Sequence, residues 1–274
     1  MIFRRTAMLF LCSVAAFRNT SLKASSSGAV SAFSAAPAVA SRSNAAGTRL
    51  RASFLEDLTR SFSGMTGSAN NKSKYYTVGI TGAGGLIGTA FRNELESVGT
   101  VNGKPVRLVA FKRGTEAETV GEESLSDEAF SSTRSVTWNP SGESGGATVV
   151  DGTVLRSLDA LVHLSGENIS TGEGLLAPLG IRPWTDSKKR EILDSRTVTT
   201  SALARAVAAS GNKKCDFLVA SGVGVYGPDF VGSDAAPAAT ESSDVSATTG
   251  FLADVSRAWE AESEAARAAG NRVV

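Results

Sequence analysis

From Tyr75 onward the chain alternates short β-rich runs with longer stretches of helical apolar spacing. Tyr75–Thr81 (YYTVGIT) predicts a first strand, and Ala90, Phe91 and Leu95 predict a helix directly after it. Val106–Phe111 predicts a second strand, Ser135–Trp138 a third closed by Asn139-Pro140, Asp159–Leu164 a fourth and Asp216–Ser221 a fifth. Ser187–Ser210 reads as a long helix, with Ile192, Val198, Leu203 and Val207 among its apolar positions. Phe251–Ala269 reads as another helix, and Asn271–Val274 as the opening of a sixth strand. Residues 114–134 are polar and acidic and read as a surface insertion. Strands alternating with helices of this length imply an α/β fold with a doubly wound parallel sheet, whose ligands gather at the carboxyl ends of the strands. Gly82, Lys112, Ser165 and Ser221 all fall at those ends.

Residues 1–72 follow no such alternation. Arg4-Arg5 precede an apolar stretch from Ala7 to Phe17, the order of a secretory signal, with small residues at Val14-Ala15-Ala16 for cleavage. Residues 18–52 are rich in Ser and Ala, carry Arg and Lys and hold no acid, which is transit-peptide composition. A signal followed by a transit segment, with Phe17 at the junction, resembles the two-part plastid presequence of algae with secondary plastids. Ser31–Pro37 offers a second junction, and a mitochondrial presequence or a misplaced gene start is the alternative. Residues 54–62 have a short helical apolar pattern, and 63–74 read as a linker. The expected division is therefore a bipartite targeting segment and linker over 1–72 and a nucleotide-binding domain over 73–274, delivered to the plastid.

Composition narrows the function classes. At 42% hydrophobic, 20% charged and 7% aromatic, the chain is neither disordered nor collagenous. The formal net charge of +1 hides a split: residues 1–55 hold seven Lys/Arg and no acid, which leaves 21 basic against all 27 acidic residues beyond them. A mildly acidic folded part argues against a nucleic-acid partner. Cys12 and Cys215 build no disulfide framework, and the single His163 leaves no room for a histidine-rich metal site. His163, within a strand, reads as a satisfied core histidine. No apolar run reaches the ~20 residues that span a bilayer.

The chemistry begins at the first strand–helix junction. Gly82-Ala83-Gly84-Gly85-Leu86-Ile87-Gly88 follows a strand and opens a helix, the context that a dinucleotide-binding turn requires. Gly82 suits the tight turn, Gly84 or Gly85 the approach of backbone to a pyrophosphate, and Gly88 the packing of helix on strand. At the end of the second strand an NAD site carries Asp or Glu for the ribose 2′-hydroxyl. Here Lys112-Arg113 stand in that place, which suits a 2′-phosphate and favours NADP.

These residues make the sequence resemble the extended short-chain dehydrogenase/reductase superfamily, and within it the atypical epimerase-family (sugar-nucleotide-epimerase-like) proteins. The matching blocks are Thr81–Gly88, Trp138-Asn139-Pro140, Leu164–Ile169 (LSGENI), Trp184-Thr185 with Lys189 and Ile192, Ser195-Arg196 with Thr200, Val223–Gly227 (VGVYG), and Phe251-Leu252-Ala253 with Trp259-Glu260. The resemblance implies a Rossmann fold and an NADP site. The Gly82–Gly88 loop would hold the pyrophosphate and Lys112 with Arg113 the 2′-phosphate. Leu164 and Ser165 would line the cofactor, and Glu191 and Arg196 would lie near the nucleotide.

For catalysis the pattern departs from the superfamily. Its working members use a Tyr-x-x-x-Lys pair with a Ser or Thr, the Lys lowering the tyrosine pKa. The corresponding helix here, Gly250–Arg257 (GFLADVSR), has neither. Tyr226 reads as structural. Ser221 is the one weak catalytic candidate, offset from the superfamily position, where Gly222 stands. Two readings follow: an NADP-dependent epimerase or oxidoreductase of a nucleotide sugar or other small carbonyl compound, or a non-catalytic nucleotide-binding protein acting through a partner, such as one in plastid division. Extended members continue past Val274 into a substrate lobe, so the chain is expected to be a truncated record lacking that lobe.

Overall fold

The computed structural model describes residues 73–141, 148–169, 184–227, 239–240 and 242–274. The chain divides into two units, Met1–Thr66 and Gly67–Val274, and every described residue belongs to the second. The presequence features assigned to residues 1–72 lie outside the described residues.

Strand β1, Tyr76–Thr81, is buried along its whole length, as a strand covered on both faces must be. A glycine turn leads into helix α1, Leu86–Val98, which buries Gly88, Phe91 and Leu95. The helix stops where Gly99 turns left-handed (φ 70°) and its N–H returns to the Leu95 carbonyl. A short hairpin strand β2, Thr100–Val101, pairs antiparallel with the start of β3, Lys104–Arg113. Strand β4 is Thr133–Trp138, helix α2 Gly152–Ser157, and strand β5 Ala160–His163. Helix α3, Asp186–Ser210, starts at a Thr185 cap whose side chain accepts the Lys188 N–H. Strand β6, Asp216–Val219, is followed by helices α4, Phe251–Ala261, and α5, Glu264–Ala268.

The parallel strands lie side by side as β4-β3-β1-β5-β6. From β1 the chain moves first one way, to β3, and later the other way, from β5 to β6. With right-handed crossovers this places α1 on one face and α3 on the other, so the sheet is doubly wound as expected. Helix α3 packs with α2, α4 and α5. The expected sixth strand is present as a parallel bridge of Val273 to Phe217, with Val219 N–H donating to the Val274 carbonyl at 2.9 Å.

Three expectations need correction. Residues 114–134 are not a surface insertion: Val120, Leu125 and Phe130 enter the main core beside Phe111, Trp138 and Leu161. These apolar residues fall five apart, a spacing with neither helical nor strand period, and only one 3-10 turn, Glu122–Leu125, forms there. The helix expected over 251–269 breaks at Glu262 and Ser263. The Ser263 hydroxyl donates to the Glu260 carbonyl at 2.7 Å, a local bond that competes with helix continuation. Finally, β6 ends at Val219 rather than Ser221. Beyond it the chain bends into the Gly222 turn, and the Ser221 side chain is held by helix α4.

Candidate functional site

The order of strands reverses between β1 and β5, and the carboxyl ends of these strands form a seam. Thr81 pairs with Phe111 on one side and with His163 on the other. The chain leaves β1 at Gly82, whose φ of +69° is costly for any residue with a Cβ. A Cβ there would also stand 2.8 Å from the carbonyl carbon and oxygen of Leu164. The glycine turn is therefore seated on the Leu164–Ser165 backbone. Gly88 closes the turn from the helix side, since a Cβ at this position would overlap the Gly82 carbonyl oxygen. Ala83 is buried beneath, while Gly84, Gly85 and Leu86 are exposed and Ile87 half-buried. Nothing lies within 4 Å of the place where a Gly84 Cβ would be. Gly85 offers α1 no side-chain cap and no acid stands in its first turn, so the first N–H groups of the helix remain available to an anion.

Because Phe111 is level with Thr81, the next two residues of β3 stand beside the turn. They are Lys112 and Arg113, both exposed. Arg113 helps to lower the pKa values of His163 and Glu167, which places its guanidinium in the field of both.

His163 is a core residue. Thr81 Oγ1 lies 2.6 Å from its Nδ1 and accepts the Leu164 N–H at 3.2 Å. Thr199 Oγ1 lies 3.5 Å from Nε2 and donates to the Ser195 carbonyl. These bonds fit an imidazole protonated on Nε2. Burial, with Arg113 adding to it, pushes His163 down to about 3, so the ring is neutral in working conditions.

The loop after β5 is held from below by helix α3. Lys188 is buried and reaches Glu167 Oε1 at 2.7 Å and Glu191 Oε2 at 3.0 Å. The Glu167 hydrogen bond is the main reason that the Lys188 pKa is raised and the Glu167 pKa lowered. The Glu167 N–H donates to Ser195 Oγ at 2.9 Å. Arg196 donates to the Ile192 and Glu167 carbonyls, each at 3.0 Å, and its guanidinium lies 5.2 Å from the Trp259 ring centre. Arg196 thus supports the 164–169 loop directly, and Glu191 only through Lys188. The reading of the sequence missed Lys188. It lies one turn before buried Ile192, and that spacing marks it as facing inward.

Two residues past the end of β6 the Ser221 hydroxyl donates to Glu260 Oε1 at 2.7 Å. In the sequence Glu260 stands only within the Trp259-Glu260 block of the resemblance, with no role given to it. Phe251 is the first residue of α4, Val255 is buried one turn later, and Tyr226 is buried in the turn that follows β6. Among the described residues no cluster of His, Cys, Asp and Glu could hold a metal, and no helix is long and apolar enough to cross a membrane.

A parallel sheet with its reversal point beside a glycine turn, a helix start and two cations defines an NAD(P)-binding Rossmann domain. No protein-family model matches the chain. An epimerase family protein of Mycobacterium leprae is 31% identical over 203 residues, which are 74% of this chain and 52% of that protein. An epimerase family protein of Mycobacterium bovis is 30% identical over 198 residues, 72% of this chain and 51% of its own length. One from Bos taurus is 30% identical over 151 residues, 55% of this chain and 38% of its length. The crystal structure of a nucleoside-diphosphate sugar epimerase from Corynebacterium glutamicum aligns at a TM-score of 0.47 and 28% identity, over 83% of this chain and 37% of that one. Over about three quarters of its length the chain is thus similar to proteins of the epimerase family. It spans about half the length of the mycobacterial relatives that it matches.

Proposed function

We propose that this chain binds NADP(H) in preference to NAD(H), and that it serves as an epimerase- or oxidoreductase-type protein for a nucleotide sugar or another small carbonyl compound. The observation that carries this reading is the exposed Lys112-Arg113 pair beside the Gly82 turn, with no carboxylate on the last residues of β3. The residues present fit the cofactor. Gly84 leaves space for a pyrophosphate, the first N–H groups of α1 face it, Leu164 and Ser165 form the opposite wall, and the two cations meet a 2′-phosphate. NADP(H) supplies or accepts a hydride. Ser221 keeps lone pairs for a substrate hydroxyl while its own proton rests on Glu260.

The second reading is a nucleotide-binding protein without turnover that acts through a partner, such as one in plastid division. Phe251 and Val255 favour it, because neither side chain exchanges a proton. Calorimetric titration of the full chain with NADPH and NADH tests the cofactor. Tighter binding of NADPH supports it, and equal affinity removes the role given to Lys112 and Arg113. NADPH oxidation with UDP-sugars or simple ketones, lost in Ser221→Ala, selects the enzyme over the binding protein. Plastid delivery by residues 1–72 is part of the proposal, and a fluorescent fusion of that segment that stays in the cytosol or enters mitochondria removes it.

A further inference from the structure

Helices α3 and α4 both begin at the carboxyl edge of the sheet, after β5 and β6, and their first turns carry a cluster that the cofactor site does not use. Trp184, just before the Thr185 cap, is fixed by its indole N–H, which donates to the Ile169 carbonyl at 3.0 Å. Its ring meets that of Phe251 edge-on, with centres 5.6 Å apart and planes at 61°. Both rings are half-exposed. The Lys189 ammonium stands 6.0 Å from the Phe251 ring centre. Its ion pair, with Asp186 at 3.9 Å, is long and has both partners in solvent, so an incoming anion displaces it at little cost. Ile169 and Val223, two of the large apolar side chains left exposed, belong to the loops after β5 and β6 at this same edge. Fixed rings with a cation over one face and apolar side chains nearby are the materials of a site for a ring-bearing or apolar anion.

The geometry points to a substrate subsite formed by Trp184, Phe251 and Lys189, in which the rings hold the body of the substrate and the Lys189 ammonium holds its carboxylate or phosphate. The subsite narrows the proposed substrates to anionic ones, and as a substrate site it rests on the cofactor reading above. Lys189 is a specificity-determining residue here. It selects charge at one end of the molecule, and Phe251 contributes an apolar wall.

Calorimetry on the full chain, with and without NADPH, tests this with phenyl phosphate, benzoate and inorganic phosphate. Phenyl phosphate and benzoate are expected to bind, with inorganic phosphate at least about tenfold weaker because it lacks the ring. Lys189→Met is expected to weaken both aromatic anions by about tenfold or more, the share of one charge-assisted contact. Phe251→Leu is expected to weaken them without changing inorganic phosphate. Both variants should keep NADPH affinity within about twofold. UDP binding tighter than phenyl phosphate identifies the anion as a nucleotide diphosphate, and weaker binding identifies a small acid. Failure of both aromatic anions to bind, unchanged binding in Lys189→Met, or a matching loss of NADPH affinity in that variant overturns the subsite. Lys189-dependent binding of the aromatic anions to a chain that ignores NADPH overturns the cofactor reading and leaves the subsite standing.

Discussion

Thr81 Oγ1 and His163 Nδ1 lie 2.6 Å apart across the seam between β1 and β5, both fully buried. The same hydroxyl accepts the Leu164 N–H. One threonine therefore ties the last residue of each strand to the loop against which the glycine turn sits. The relationship explains why a lone histidine in a strand is structural: its ring nitrogens are both used and its charged form is excluded.

Acidification should destabilise the domain through His163. Its ordinary pKa is about 6.5 in the unfolded chain, and in the fold it lies at about 3. The unfolded state therefore binds the extra proton between these values. The contribution of the neutral ring is complete above about pH 6.5 and is lost as pH falls, at about 1.4 kcal/mol per unit across the window. Asp216 works in the opposite sense, because burial raises its carboxyl to about 6. The His163 share is the difference between the pH profiles of the parent and His163→Asn in urea unfolding. A difference that stays flat from pH 6.5 to 4 contradicts the assignment.

Removing the hydroxyl at the seam should cost stability on its own. Thr81→Val keeps the shape, leaves His163 Nδ1 without its partner, and leaves the Leu164 N–H only its 3.3 Å bond to the Thr81 carbonyl. A loss of about 1–3 kcal/mol is expected at pH 7. Chemical denaturation measures it, and a change below about 0.5 kcal/mol shows the bond to be incidental.

The glycines of the turn should separate folding from binding. Gly84→Ala adds a methyl group where nothing stands within 4 Å, so stability should stay within about 0.5 kcal/mol. NADPH affinity should nevertheless fall at least about tenfold, because the methyl group enters the space for the pyrophosphate. Gly88→Ala should instead lose about 1–3 kcal/mol of stability, since the Gly82 carbonyl must move. Thermal melts and NADPH titrations of the two variants are expected to give opposite orders.

Arg113→Ala should lower NADPH affinity by about ten- to a hundredfold and leave NADH binding near its parent value. The competing outcome, an equal loss for both cofactors, means that Arg113 serves the loop through Glu167 rather than the 2′-phosphate.

Arg196→Lys tests the support beneath the cleft. An ammonium cannot reach the Ile192 and Glu167 carbonyls together while lying over Trp259. A stability loss of about 1–3 kcal/mol is expected, with NADPH binding weakened in parallel. A fully stable variant with unchanged binding shows that the loop holds its place without this residue.

The fold was legible because β1, β3, β5 and the glycine turn obey local rules: apolar runs, then small residues where the backbone must bend. The supports of the site were not. Lys188, Glu191 and Arg196 lie within one helix and look like an ordinary solvated charge pattern. The spacing from Ile192 turns Lys188 inward, but its partner Glu167, reached across the loop from β5, is visible only in the tertiary fold. Ser221 was noticed as a strand-end serine, but its partner Glu260 comes from a helix 39 residues further on. The core role of Val120, Leu125 and Phe130 escaped notice because polar neighbours outnumber them and their spacing has no period.

The two hydrogen bonds that fasten the ends of β1 and β5, Thr77 to Asp159 and Thr81 to His163, each join residues 82 apart in the chain. Closing so long a stretch requires a large loss of chain entropy before any of these contacts forms, which favours slow assembly of the sheet centre. The cleft lies on that seam, so it is complete only once these long-range contacts have formed. A dinucleotide then has nothing to bind on a partly folded chain. It acts on the finished state alone, slowing escape from it rather than hastening arrival.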